Sequence, residues 1–485
     1  MKKLIYIAMV LMMVFSVSCT KSDSKENNTV NTENTQKQNK TSKEVTSNTK
    51  DTSSGKNKDT SSDKNNDTVA SKDSDANTEE EDKDTTEEDN TADEGVKVIS
   101  SDASQVEKDG EESLLVTDKV VIDGMTEDIL NNMSLEEKIG QLFIVSCESL
   151  DTSKGHCFEW RNVTKNMRST LNKYHVGGII LYSRNVESID QTQRMIADFQ
   201  ESSRVPLFIS IEEEGGDMSP LANNLNMNMT QFPNMSVIGE LNNKDYANHM
   251  GKTIGKEIKE LGFNLDFAPV TDVNTGDENS KIGNRSFGSD PLIVSDMVSE
   301  VVNGIQSQNV AATIKNFPGE GSITEETQNG SVNIDNTLEQ LRKINFVPFK
   351  EGIKAGADVI MVSHASISRV TEDMVPASLS SLVMRSILRT ELGFDGVIIT
   401  DALNKKAITD HYSSRAAALK VVKAGGDMLL TPENLKSAYN GLLNAVEDGS
   451  IKESQIDNMV RRILKLKLKR GIILSNTNLI ERDNK

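Results

Sequence analysis

Asp401 is the residue of this chain whose type and position most directly favour nucleophilic chemistry. It follows the apolar, β-branched run GVIIT at 396–400. A carboxylate at the end of a buried strand can attack the anomeric carbon of a sugar and form a covalent intermediate. Asp is also a favoured helix N-cap. The residues alone therefore leave both roles open.

Other polar side chains also come at the ends of apolar runs. If those runs are the parallel strands of a barrel, their carboxyl ends meet at one rim, where barrel enzymes place their chemistry. This rule selects Glu212–Glu214, Asp272, Lys315–Glu320, His364, Asp401 and Thr431.

Eight apolar runs are candidate strands. They are near-continuous hydrophobic segments rather than alternating ones, as expected of parallel strands covered on both faces. The runs are LFIVS (142–146), GGIILY (177–182), PLFISIE (206–212), FNLDFAPV (263–270), AATIKNF (311–317), ADVIMVSH (357–364), DGVIITD (395–401) and GDMLLTP (426–432).

Amphipathic helical stretches separate these runs, at roughly 187–202, 243–260, 291–309, 337–355, 378–391, 413–424 and 433–448. A last one, SQIDNMVRRILKLKLK, follows the eighth run, and Ser134 with Glu137 has the capping-box spacing of a helix start before the first. Eight strand–helix repeats predict an α/β fold, a (β/α)8 TIM barrel over 119–478. A doubly wound open sheet is the alternative.

The first 118 residues differ in kind from the rest. MKKLIYIAMVLMMVFSVSC has two lysines, a short apolar core and small residues before Cys19. This predicts a lipoprotein signal peptide over 1–18 and a lipid on Cys19, with an ordinary cleaved signal as the alternative. Residues 19–118 are polar and of low complexity, so we expect a disordered tether. The protein would then be anchored to the outer face of the cell membrane.

Composition and motifs exclude several partners. The formal net charge of −20 argues against nucleic acid, because phosphate would be repelled. The five histidines show no spacing typical of a zinc site, and no phosphate-binding glycine pattern opens a helix. The sequence therefore implies no metal and no cofactor. Export permits a disulfide between Cys147 and Cys157, although two buried thiols are equally compatible with the sequence.

Six segments, in order, resemble those of the family 3 glycoside hydrolases. GVIITDAL resembles the nucleophile segment of that family, which reads G-V-I-x-[ST]-D-x-L. The other five segments are VGGIILYSRNV (176–186), LDFAPVTDVNTGDENSKIGNRSFGSDP (265–291), KNFPGEG (315–321), ADVIMVSHAS (357–366) and AGGDMLL (424–430). The likeness covers about 125–470 and is greatest to the single-domain β-N-acetylhexosaminidases, which act on N-acetylglucosamine in cell-wall fragments.

The resemblance implies a TIM barrel and retaining hydrolysis of a β-linked N-acetylhexosamine or related glycoside. It implies that Asp401 is the nucleophile. The substrate contacts that it implies are Glu212, Arg285, Lys315, Asn316 and His364. The expected partner is a glycan, with peptidoglycan fragments as one source, and we expect a monomer.

The loop that carries the acid/base in that subgroup is altered here. The family's catalytic His position holds Gln328, and the Asp that orients it is Glu326. Gln cannot donate and retake a proton in the useful pH range. Glu326 is therefore the first candidate for a replacement acid/base, followed by Glu320 and Glu325. The alternatives are a sugar-binding pseudoenzyme and a scaffold for protein contacts.

Overall fold

The structure is a computed structural model that describes residues 119–474, apart from 156–157 and 277–279. The predicted signal peptide, Cys19 and the predicted tether lie outside the described residues, as does Cys157. Cys147 is a buried thiol, and burial raises its pKa. The pairing of Cys147 with Cys157 stays a prediction.

Eight parallel strands of the described region close into a barrel. They run in the spatial order β7-β6-β5-β4-β3-β2-β1-β8, and β1 also pairs with β8. A parallel bridge between Ile399 and Met428 joins β7 to the residues before β8. The strands are β1 Phe143–Val145, β2 Gly178–Ile180, β3 Phe208–Ile211, β4 Leu265–Asp266, β5 Ala311–Phe317, β6 Val359–Val362, β7 Val397–Thr400 and β8 Leu429–Leu430.

Each of these strands falls inside one predicted run, and every strand residue is buried. Burial on both faces explains why the runs are continuously apolar. The prediction of a (β/α)8 barrel is confirmed. The open-sheet alternative is wrong, because an open sheet would leave β7 and β8 as separate edges, whereas the bridge between Ile399 and Met428 joins them.

Helices cover the outside of the barrel and separate its strands. The α-helices of the described region are α1 Lys119–Asn131, α2 Leu135–Gln141, α3 Cys147–Leu150, α4 Lys165–Tyr174, α5 Ile189–Glu201, α6 Met235–Leu241, α7 Lys244–Leu261, α8 Pro291–Gln306, α9 Leu338–Lys343, α10 Phe346–Lys354, α11 Ser368–Thr371, α12 Lys406–Thr409, α13 Ser414–Ala424, α14 Leu435–Glu447 and α15 Glu453–Lys469. A π-helical segment, Leu382–Glu391, precedes β7.

Local signals set several of the helix boundaries. The capping box of Ser134 and Glu137 is formed at the start of α2, as predicted. The predicted stretch 337–355 is two helices, α9 and α10, rather than one. Pro348 lies in the first turn of α10, where its missing N–H costs least, and it could not continue a helix from α9. No helix of the described region is long and apolar enough to cross a membrane.

Candidate active site

Asp401 follows β7 at the carboxyl end of the barrel, and both of its side-chain oxygens are occupied. Oδ1 accepts a hydrogen bond from the Ala402 N–H at 2.6 Å, and Oδ2 accepts one from Nζ of Lys405 at 2.6 Å. The side chain is 12% exposed. Burial acts to raise the pKa of Asp401, but the Lys405 ammonium and the other neighbours of the carboxylate together outweigh burial and lower the pKa to about 2. The residue is therefore an anion at the rim.

The helix-cap role that the sequence left open for Asp401 is not observed. The next helix, α12, starts only at Lys406, and the residue at its N-cap position is Lys405. The single backbone N–H that Asp401 binds is that of the adjacent Ala402. Its carboxylate is thus free of a capping function and available for chemistry at the rim.

His364 holds the turn that carries Asp401. Its Nε2 lies 2.9 Å from the carbonyl oxygen of Ala402, and its Nδ1 lies 2.7 Å from Oγ of Ser378. A carbonyl can only accept, so Nε2 carries the proton and a neutral ring accepts from Ser378 at Nδ1. Burial lowers the pKa of His364 and so favours this neutral form. His364 is 1% exposed, so it positions the turn that carries Asp401 rather than presenting a nitrogen to the cleft.

Two predicted sugar contacts, Arg285 and Lys315, converge on Glu214. Nε and Nη2 of Arg285 bind the two Glu214 oxygens at 2.9 and 2.6 Å. Nζ of Lys315 lies 2.6 Å from Glu214 and 3.4 Å from Glu212. Burial acts to raise the pKa of Glu214, but the two cations outweigh burial and lower the pKa to about 2. Glu214 was missed as a functional residue, although it belongs to the strand-end run that the barrel rule selects.

Asp272 lies between this cluster and the loop after β5. Its Oδ2 accepts a hydrogen bond from the Asn316 side chain at 2.7 Å, and its Oδ1 accepts one from the Glu320 backbone N–H at 2.5 Å. Burial raises the pKa of Asp272 to about 6. Asn316, predicted to contact the sugar, thus has its amide committed to Asp272. Asp272 in turn fixes the backbone from which the Glu320 side chain projects.

Glu320 is the loop carboxylate that enters the site. Its Oε1 is sealed from solvent and has no hydrogen-bond partner among the described residues. Burial and the neighbouring Asp272 carboxylate raise the pKa of Glu320 to about 7. Asp401 and Lys405 also act on it electrostatically, in opposite directions. A carboxyl group with this pKa is half-protonated at neutral pH, as a general acid/base should be.

The preference for Glu326 as the replacement acid/base is corrected by the structure. Glu325, Glu326 and Gln328 are all exposed. Glu326 is therefore a solvated loop charge, whereas Glu320, a lesser candidate in the sequence, is partly buried and interacts electrostatically with Asp401. Thr327 is the buried residue of this stretch, and its carbonyl accepts a hydrogen bond from the Ala407 N–H at 3.1 Å. This bond anchors the loop while its carboxylates turn outward.

Glu212 connects the two halves of the rim. Its side chain is 33% exposed and therefore open to the cleft. It acts electrostatically on Lys315 and Arg285 on one side and on Lys405 on the other. Among the predicted residues, Glu212, Arg285, Lys315, Asn316, His364 and Asp401 are thus brought together.

The sequence of the described barrel matches a known family model. Residues 134–466 match the model described as the glycosyl hydrolase family 3 N terminal domain. The chain belongs to glycosyl hydrolase family 3. The resemblance to this family that the six sequence segments carry is therefore confirmed. The TIM barrel that the resemblance implies is the fold that the structure shows.

The sequence is also similar to individual proteins named β-hexosaminidase. A β-hexosaminidase A of Pseudoalteromonas piscicida is 29% identical over 370 residues, which cover 70% of this chain and 61% of that protein. A β-hexosaminidase of Stenotrophomonas maltophilia is 30% identical over 308 residues, which cover 62% of this chain and 88% of that protein.

A solved structure is also similar. The family 3 β-N-acetylglucosaminidase from Paenibacillus sp. str. FPU-7 superposes with a TM-score of 0.65 at 35% identity, covering 70% of this chain and 63% of that one. The chain therefore spans less than two thirds of the Pseudoalteromonas and Paenibacillus proteins.

Proposed function

We propose that this protein is a retaining glycoside hydrolase that acts on β-linked N-acetylhexosamine. The observation that carries the proposal is that an ionised Asp401 and a Glu320 carboxyl whose pKa is raised interact electrostatically at the carboxyl end of a family 3 barrel. Glycosidases typically use two carboxyl groups with different pKa values, one ionised and the other protonated. The relatives named β-hexosaminidase and β-N-acetylglucosaminidase support the choice of sugar.

The reaction takes two steps in this geometry. In the first, an Asp401 oxygen forms a bond to the anomeric carbon, and the glycosidic C–O bond breaks. The leaving oxygen takes the electron pair and the proton of Glu320. In the second, a water attacks the same carbon and gives its proton to Glu320, and the ester bond to Asp401 breaks. Two displacements at one carbon retain its configuration.

The cluster around Glu214 binds the sugar in this scheme. Lys315 and Arg285 are fixed by Glu214, so their remaining N–H groups keep one orientation toward the cleft. Charged donors make the stronger hydrogen bonds to hydroxyl groups. Glu212, open on the cleft side, adds a carboxylate acceptor for a further hydroxyl. Fixed partners of both kinds orient the ring so that its anomeric carbon faces Asp401.

Binding of a glycan without hydrolysis is the second candidate function. It is favoured by one observation: in the described structure both oxygens of Asp401 already have partners, Ala402 and Lys405. A pseudoenzyme would keep the Glu214 cluster and leave Asp401 in that ion pair.

Turnover of 4-nitrophenyl N-acetyl-β-glucosaminide separates the two candidates. The proposal expects release of 4-nitrophenol, and it expects proton NMR to show the β-anomer of the sugar as the first product. Glu320→Gln should lose activity on unactivated glycosides by about 100-fold or more. Glu326→Gln, on the same loop but exposed, is the matched control and should behave as the unsubstituted protein. Glycan binding without turnover would favour the second candidate.

We infer further that the protein is an exported lipoprotein anchored through Cys19, and that its glycan comes from the cell wall. The support is the signal-like start of the chain and the long polar segment before the barrel. Labelled palmitate should be incorporated into the full chain, and Cys19→Ser should abolish both the label and the membrane association. Release of N-acetylglucosamine from muropeptides would test the source of the glycan. A soluble, unlabelled protein would contradict the anchor.

A further inference from the structure

Lys405 is a positive charge that acts on both carboxyl groups of the proposed reaction. Its Nζ lies 2.6 Å from Oδ2 of Asp401. Glu320 and Glu212 also act on it electrostatically. Its side chain is 26% exposed and so is largely withdrawn from water. One ammonium therefore contacts Asp401 and acts electrostatically on Glu320.

The backbone around Lys405 is fixed, whereas its side chain is not. Its N–H donates to the Ala402 carbonyl at 3.1 Å, and the Leu403 N–H donates to the Leu430 carbonyl at 2.9 Å. The four-carbon stem of a lysine is flexible, and its ammonium is a point charge without a required direction. The ammonium can thus change partners without any movement of the turn.

We propose that Lys405 is a positioning residue whose ammonium pairs with Asp401 in the free protein and with Glu320 in the glycosyl-enzyme. This inference rests on the proposed function. To attack the anomeric carbon, Asp401 must free an oxygen, and Oδ2 is the one that Lys405 holds. Once Asp401 is an ester it carries no charge, and the ammonium has lost its partner.

The sum of the charges at each stage indicates which carboxylate the ammonium pairs with. In the free protein Asp401 is an anion, Glu320 is protonated and Lys405 is a cation, so the three sum to zero. In the intermediate Asp401 is a neutral ester and Glu320 is an anion, so the sum with Lys405 is again zero. An unpaired buried charge at either stage would be strongly unfavourable. A single mobile cation avoids it at both stages.

The second step restores the first arrangement. Water attacks the anomeric carbon, its proton goes to Glu320, and the ester bond breaks with its electron pair returning to Asp401. The Lys405 ammonium then pairs again with the Asp401 carboxylate. It keeps its own protons throughout, so it takes no part in proton transfer.

Other charged groups at the rim do not compete for this role. Glu212 already has Lys315 at 3.4 Å. His364 is held neutral by its two hydrogen bonds. Asp272 is bonded to Asn316 and to the backbone N–H of Glu320, so its charge acts on Glu320 and raises the pKa there. Burial raises the pKa of Tyr182, and the charges of Glu212 and Asp401 raise it further, so the Tyr182 hydroxyl stays neutral.

The test compares Lys405→Met with Lys406→Met. Lys406 is the adjacent residue, but it is exposed and pairs with Asp410 on the surface. Lys405 lowers the pKa of both Asp401 and Glu320, so its loss should move both limbs of the pH–rate profile to higher pH. We expect kcat at neutral pH to fall by about 100-fold, with a smaller change in KM. Lys406→Met should change neither limb, and Lys405→Arg should keep both near their original positions.

An activity-independent measurement accompanies the kinetics. A ¹³C NMR titration of the Glu320 carboxyl, assigned with Glu320→Gln, should give a pKa that is higher in Lys405→Met than in the unsubstituted protein. The inference would be overturned if Lys405→Met folds but neither limb of its pH–rate profile nor the NMR pKa of Glu320 differs from the unsubstituted protein. If Lys405→Met does not fold, displaced limbs in Lys405→Arg would overturn it instead. Absence of turnover by the unsubstituted protein would overturn the proposed function, while a shifted NMR pKa would still support the coupling.

Discussion

Two charged clusters share the rim of this barrel, but they differ in how completely they are paired. Around Glu214, both carboxylate oxygens are bound by Arg285 and Lys315, at 2.6 to 2.9 Å. Around Asp401, Lys405 contacts one carboxyl group and acts electrostatically on another, and Glu320 keeps an oxygen with no hydrogen-bond partner in the part of the chain that the structure describes. The ion pairs of the first cluster are fully formed, so its side chains keep their positions and can bind a sugar. The second is left incomplete, which is what proton transfer requires.

The largest effect should come from breaking the incomplete cluster at its nucleophile. Asp401→Asn keeps the side-chain shape and an acceptor for the Ala402 N–H, but it removes the charge that attacks carbon. We expect kcat to fall by on the order of 10⁴-fold or more, as when other nucleophiles are removed. Circular dichroism should show an unchanged fold. Activity within about tenfold of the original would place the chemistry elsewhere.

Breaking the complete cluster should instead affect stability. Glu214→Gln leaves the buried Lys315 without its closest anion, and we expect the free energy of unfolding to fall by about 3–5 kcal/mol in urea titrations. The control is Lys354→Met, which breaks an exposed pair with Glu351 and should cost less than about 1 kcal/mol. Equal losses in the two variants would contradict the contrast between the clusters.

Glu214 should also make stability depend on pH. Its pKa in the folded protein is about 2, below the ordinary value of 4.5. Its contribution is therefore present above pH 4.5 and is lost as the pH falls toward 2. Thermal unfolding measured across this window should show the dependence in the unsubstituted protein and a weaker one in Glu214→Gln.

The incomplete cluster should set the pH dependence of activity. Glu320 must be protonated for the first step, and its pKa is raised to about 7, so kcat/KM should decline above that pH. Asp401 must be ionised, and its pKa is lowered to about 2, so no acid limb should appear before strongly acidic pH. On an aryl glycoside, Glu320→Gln should abolish the limb near pH 7. A limb that persists in Glu320→Gln would assign the acid to another group.

The smallest predicted effect connects the clusters through Asp272. Asn316→Ala removes a hydrogen bond that lowers the pKa of Asp272, so this carboxyl becomes more protonated near neutral pH. The anion that helps to raise the pKa of Glu320 is then weakened. The limb near pH 7 should move to lower pH, by less than about one unit. A shift to higher pH would contradict this coupling.

The sequence predicted the barrel because a strand that is buried on both faces needs a continuous run of apolar residues. It predicted strand lengths less well. β4 is only two residues long although its run extends over 263–270, because Pro269 has no N–H to donate and interrupts the regular ladder, which Val270 rejoins as an isolated bridge to Lys315. Helix α9 likewise ends before Pro348, where a 3.6-residue periodicity alone gives one long helix.

The candidate site was predicted in part for a related reason. The ends of the strands identified Asp401 and Lys315, whereas Arg285 lies in the long loop after β4 and was predicted from the family resemblance. Loop side chains depend on contacts that spacing does not encode. Glu320 and Glu326 are both loop glutamates in the sequence, and they differ in the contacts of their backbone: the Glu320 N–H donates to Asp272, whereas the loop at Glu326 is held through the Thr327 carbonyl. The role of Lys405 likewise depends on the shape of a five-residue turn.

Mass spectrometry of a trapped intermediate tests the central claim most directly. Glu320→Gln should still react with 4-nitrophenyl N-acetyl-β-glucosaminide, because the good leaving group needs little acid, and should then stall without a base for water. The intact protein should gain the mass of one N-acetylhexosaminyl group, and peptide mapping should locate it on Asp401. Absence of any adduct during turnover, or an adduct on another residue, would contradict the assignment of Asp401 as the nucleophile.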